Sequence, residues 1–127
     1  MNTQAMSVKE VVLLCKQKLL QEKSSLLNRM LDIKSQFKQR EFKGDEADQS
    51  FDVLLEHQLL ANQEHLLLKL REIELALVRI QDGTYGICEV TEEPIELQRL
   101  LSLPWTRLSI EGAEFRENLR KRFTPEF

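Results

Sequence analysis

The sequence predicts an all-α dominated protein: one long antiparallel coiled-coil hairpin, followed by a small globular base and a C-terminal helix. Three observations carry that expectation. Two proline-free stretches of helical pattern, each more than thirty residues long, flank a short polar turn. Each stretch bears an apolar stripe at heptad spacing. The two stretches carry opposite net charge.

The turn, residues 43–50, reads Lys43-Gly44-Asp45-Glu46-Ala47-Asp48-Gln49-Ser50 and contains the first glycine of the chain. Glycine accepts positive φ, and an Asp side chain caps the helix that follows. A short connection between long helices favours antiparallel packing. The expected product is a hairpin tip bearing the carboxylates Asp45, Glu46 and Asp48. The plain alternative is an ordinary solvated turn.

The first arm opens on Ser7-Val8-Lys9-Glu10, a capping box. Val12, Leu19, Leu26 and Ile33 then recur seven apart, with Leu20, Leu27, Met30 and Phe37 expected to widen the stripe. The helix should run from about residue 8 to about residue 43, on the order of 50 Å. Asp48 or Ser50 can cap the second arm, whose stripe is Leu59, Leu66, Leu70, Ile73, Leu77 and Ile80. It should stop at Asp82-Gly83, with glycine as the residue that leaves the helix. Cys15 lies near the apolar stripe and reads as a small buried hydrophobe. His57 and His65 are eight apart, not the four of paired helical metal ligands, and read as solvated.

Residues 1–43 hold nine Lys or Arg against four Asp or Glu, a balance of +5. Residues 44–82 hold three against nine, a balance of −6. Opposite charge favours pairing of the two arms with each other over pairing of either with its copy, so a monomer is expected. Surface pairs choose the partner; the apolar seam supplies the stability.

From Gly83 the character changes, so the chain divides into a hairpin over 1–82 and a base over 83–127. Gly83-Thr84-Tyr85-Gly86-Ile87-Cys88 predicts a tight turn or short hairpin. Pro94 introduces a short helix over 95–101, Leu103-Pro104-Trp105 closes it, and a last helix spans 108–122, interrupted or weakened at Gly112. Tyr85, Ile95, Leu100, Leu103 and Trp105 are the expected satellite core. Arg116, Arg120, Lys121 and Arg122 form a basic patch that also suits a solvated helix end.

Composition narrows the function. A chain of 127 residues is at most one full domain with an extension. A net charge of −3 argues against coating nucleic acid, and no helix has a basic, base-reading face. Residues 1–7 are polar and no apolar run reaches bilayer length, so the cytoplasm is the expected compartment and no membrane contact is expected. Two cysteines, Cys15 and Cys88, make no disulfide framework.

The segment Arg79-Ile80-Gln81-Asp82-Gly83-Thr84-Tyr85-Gly86-Ile87-Cys88-Glu89 resembles the base of the DksA/TraR family of bacterial RNA polymerase regulators. So do Pro94-Ile95-Glu96, Arg99-Leu100 and Pro104. The family's tip motif, D-x-x-D-x-A, is matched by Asp45-Glu46-Ala47-Asp48-Gln49-Ser50, with serine for the final alanine. The resemblance spans about residues 8–120.

That resemblance implies a regulator with no enzymatic activity of its own. Its tip residues Asp45, Asp48 and Ser50 would enter the secondary channel of RNA polymerase and modulate promoter open complexes. It also implies a zinc-finger-like base, because the family holds zinc with two C-x-x-C pairs. The corresponding positions here are Cys88, Thr91, Ser109 and Gly112. One thiol, two hydroxyls and a glycine do not make a tetrahedral site, so no zinc and no other cofactor is expected. Hydrophobic contacts, with Trp105 a candidate, should hold this degenerate base instead. Relatives respond to the stringent-response alarmone ppGpp partly through cations near the base. Lys69-Leu70-Arg71-Glu72 keeps two of them beside an acid, which leaves synergy open. Two other functions fit the same shape: a Gre-type transcript-cleavage factor using tip carboxylates to hold magnesium, and a coiled-coil adaptor with an inert tip.

Overall fold

A computed structural model describes the backbone of residues 6–43 and 49–123, and the side chains of 6–39 and 51–123. The helices are α1 (Val8–Lys43), α2 (Gln49–Asp82), α3 (Leu97–Ser102) and α4 (Ile110–Phe123). No strand occurs among the described residues; Ile87 and Pro94 form one isolated antiparallel bridge.

The long helices begin and end where local chemistry dictates. The backbone N–H of Glu10 donates to Ser7 Oγ at 3.2 Å, which caps α1. Gly83 follows α2 at φ +79°, in the left-handed region. The Arg79 carbonyl accepts from both Thr84 and Tyr85, at 3.0 and 3.2 Å, and so closes the exposed end of α2.

The seam of the hairpin is apolar. Leu19, Leu26 and Ile33 of α1 are buried against Leu59, Leu66, Ile73 and Ala76 of α2. Met30, Phe37, Leu70, Leu77 and Ile80 pack on its flanks. The expected widening at Leu20 and Leu27 does not occur: they are 49% and 42% exposed. Each directly follows a seam residue, and one residue of helix turns a side chain about 100° away from the partner. Near the base the buried position is Val11, with Val12 only partly covered. There α1 also packs against α3, and Val11 and Cys15 join Cys88, Ile95 and Leu100 in a second cluster.

Two further expectations shift. The short helix begins at Leu97, two residues late: the Ile95 N–H donates to the Gly86 carbonyl at 2.7 Å, and Glu96 is the N-cap residue, at a non-helical ψ of 132° and with no side-chain cap bond. The Glu96 carboxylate accepts instead from the Ile110 N–H at the start of α4, 3.1 Å to each oxygen. Gly112 does not interrupt the last helix. It sits in the first turn of α4, where its N–H donates to Ser109 Oγ at 3.0 Å. Ser109 thus serves as the cap.

Candidate functional site

The tip expected at Asp45, Glu46 and Asp48 lies outside the described residues. Ser50 belongs to the first turn of α2, and its side chain lies outside them as well. What the structure describes is the mounting. α1 has 36 residues and α2 has 34, so each helix is roughly 50 Å long. Residues 44–48 connect the ends of α1 and α2 that lie away from the base.

The base is fastened to the rod at several points. Lys18 Nζ donates to the Leu101 carbonyl at 2.9 Å, and Cys15 Sγ donates weakly to that of Leu100 at 3.4 Å. The Tyr85 hydroxyl donates to the Pro104 carbonyl at 2.7 Å, and the Arg79 guanidinium to that of Trp105 at 3.4 Å. Arg107 pairs with Glu72 at 3.3 Å and with Glu89 at 3.7 Å, while Arg116 reaches Glu89 at 3.8 Å. Burial, with smaller contributions from Cys15, pushes the Tyr85 phenol up; burial also lowers the Arg79 guanidinium, with Glu89 opposing.

Trp105 has a different task from the one expected. It packs on the hairpin cluster, with Lys69 Nζ 5.3 Å from its ring centroid. It joins base to rod and does not fill the base. The base's own core is Val11, Cys15, Cys88, Ile95 and Leu100, with Tyr85 at its edge; Leu103 belongs to neither cluster. Lys69 also pairs with Glu22 at 3.6 Å, whereas Arg71 is exposed. His57 and His65 are both exposed.

The structure does bring Cys88, Thr91, Ser109 and Gly112 together. The Thr91 N–H approaches Cys88 Sγ at 3.5 Å, and Gly112 donates to Ser109 Oγ across the same three-residue interval. A Cβ built on Gly112 would lie 2.5 Å from Cys88 Sγ and 3.3 Å from Ser109 Oγ. The thiol therefore fills the room that a fourth side chain would need. Burial raises the Cys88 thiol, but hydrogen bonds with Ser109 and Thr91 outweigh it and lower it to about 6.

Residues 83–118 match the prokaryotic dksA/traR C4-type zinc finger. An uncharacterised protein of Aquifex aeolicus is 38% identical over 126 residues, covering 94% of this chain and 85% of its own. The RNA polymerase-binding transcription factor DksA of Caulobacter vibrioides is 39% identical over 106 residues, covering 80% of this chain and 72% of its own. The transcription factor DksA2 of Pseudomonas aeruginosa superposes with a TM-score of 0.83 at 30% identity, covering 96% of this chain and 94% of that one.

The zinc of a four-cysteine finger needs four N or S donors in a tetrahedron. The residues present do not fit it. Cys88 is the one cysteine in the matched segment, hydroxyls stand at 91 and 109, and the fourth position has no side chain. The other half of the signature is intact: the turn after α2, the paired three-residue intervals and the two-helix rod that they terminate. On the matched base and the similarity over most of its length, this chain belongs to the DksA/TraR family.

Proposed function

We propose that the protein is a non-catalytic transcription regulator that binds RNA polymerase, works in the bacterial cytoplasm and needs no zinc. In this reading the hairpin enters the secondary channel and presents Asp45, Asp48 and Ser50 near the catalytic centre. Binding one promoter-complex state better than another then shifts open-complex populations. The observation that carries the reading is a rod of roughly 50 Å fastened to a base, in a chain 39% identical to an RNA polymerase-binding transcription factor. A paired rod is stiff enough to hold carboxylates far from its docking end. Carboxylates there can meet basic polymerase groups or the magnesium environment.

The test is co-purification of core polymerase with wild-type protein and with Asp48→Asn, alongside open-complex lifetime. Wild type is expected to bind and to change the lifetime. Asp48→Asn is expected to lose most of the lifetime effect. Failure of wild type to bind ends the proposal. Zinc independence has its own measurement. Purified protein should carry no stoichiometric zinc and keep its melting temperature in chelator, whereas the triple variant Thr91→Cys, Ser109→Cys, Gly112→Cys should acquire about one zinc per chain.

A further inference from the structure

We propose that Phe51, Val53, Leu54 and Leu55 form an apolar collar just behind the tip, which seats the hairpin inside an enclosing, apolar-walled passage of its partner. On the secondary-channel reading above, on which this rests, the passage is that of RNA polymerase, and the collar supplies affinity while the acids act. Four of the five residues 51–55 are large and apolar, and each of the four is between 36% and 69% exposed. Single exposed apolar residues are ordinary; four within five residues make a patch of the kind that marks an interaction site. The collar is bounded: Glu56, His57 and Gln58 are polar and exposed, and Leu59 is buried in the seam.

The shape of the patch selects the shape of the partner. At about 100° per residue, Val53, Leu54 and Phe51 spread over about 160° of α2, and Leu55, one turn before seam Leu59, extends the arc to about 200°. The stripe of a helix that faces a single packing surface is about 100° wide. No flat surface therefore buries the whole collar. A wall that curves around the end of the rod does.

Charge separates a protein passage from the other surroundings that could enclose a helix end. A second copy laid alongside meets one side of the rod and leaves Phe51 or Val53 in water. A lipid bilayer can surround the rod end, but it would have to take in Asp52 and Glu56 with the collar, and Asp45, Glu46 and Asp48 ahead of it in the chain. A protein passage carries no such cost. Its wall can set apolar side chains against the collar and cations against the acids.

Such a passage must admit two helices side by side, about 20 Å by about 10 Å. Two duties then separate along the hairpin. The collar sets how tightly the rod is held, and the acids set what the rod does once it is held. Affinity and effect therefore respond to different substitutions.

Fluorescence anisotropy of labelled protein titrated with core RNA polymerase, together with open-complex lifetime, tests the collar. Phe51→Ser/Leu54→Ser should weaken binding at least about tenfold with unchanged helical circular dichroism. At saturating concentration it should regain the wild-type effect on lifetime. Asp48→Asn should do the reverse, binding as wild type does and losing the effect. Photocrosslinking side chains in place of Phe51 and of Val53, on opposite sides of α2, should each join polymerase. A double variant that binds as well as wild type overturns the collar and leaves the channel reading standing. A wild type that does not bind polymerase overturns both. Crosslinks from one of the two positions alone overturn the enclosing wall, and a double variant that stays inactive at saturation overturns the division of duties. Wild-type binding to phosphatidylglycerol vesicles, or a wild-type dimer, that the double variant loses assigns the patch elsewhere and overturns the proposal.

Discussion

Cys88 is a thiol held in hydroxyl company. It is 1% exposed, with Ser109 and Thr91 as its polar neighbours, and its proton affinity is lowered from 9.0 to about 6. The folded state thus favours the thiolate more than the unfolded chain does. Stability from this group is complete above the unfolded value and is lost as pH falls toward the folded one. Chemical denaturation should show stability rising between about pH 6 and pH 9, by at most about 1.4 kcal/mol per pH unit. Cys88→Ala should flatten that rise, and thiolate absorbance should follow the same window in wild type. Gly112 is the complementary site. Gly112→Ala gains helix propensity of about 1 kcal/mol but forces its Cβ against Cys88 Sγ. The contact should win, with a net loss of about 1 kcal/mol in the same assay. The four positions could be aligned from the resemblance, but their packing could not. That the thiol occupies the room left by the absent side chain follows from backbone geometry that residue spacing does not encode.

At the scale of the helices, neighbouring leucines separate two roles. Leu26 is fully buried in the seam, while Leu27 is 42% exposed beside it. Leu26→Ala should cost about 3 kcal/mol in urea unfolding, and Leu27→Ala less than about 1 kcal/mol. Heptad period and punctuation made α1 and α2 legible: Ser7 starts the first, Gly83 stops the second, and no proline intervenes. The width of the stripe was less legible. A seven-residue repeat names the seam but does not say which neighbour also turns inward, and a third helix decides that. Val11 is buried because α3 packs there, a contact between residues about ninety positions apart that no local period reveals. Ser109 was read as a vacated ligand position and proved also to be a helix cap.

For the whole molecule, the base at one end and the far ends of α1 and α2 at the other make a lever. Lys18, Cys15 and Trp105 tie the base to both helices. A tilt of about 5° at those ties would swing the far end by about 4 Å over a rod of this length. That is more than the span of a hydrogen bond. Trp105→Ala should therefore weaken the effect on open complexes several-fold, more than it weakens binding to polymerase, with α1 and α2 still folded by circular dichroism. A single indole at the base would then govern the aim of the far helix ends, as the collar of a probe governs where its point lands.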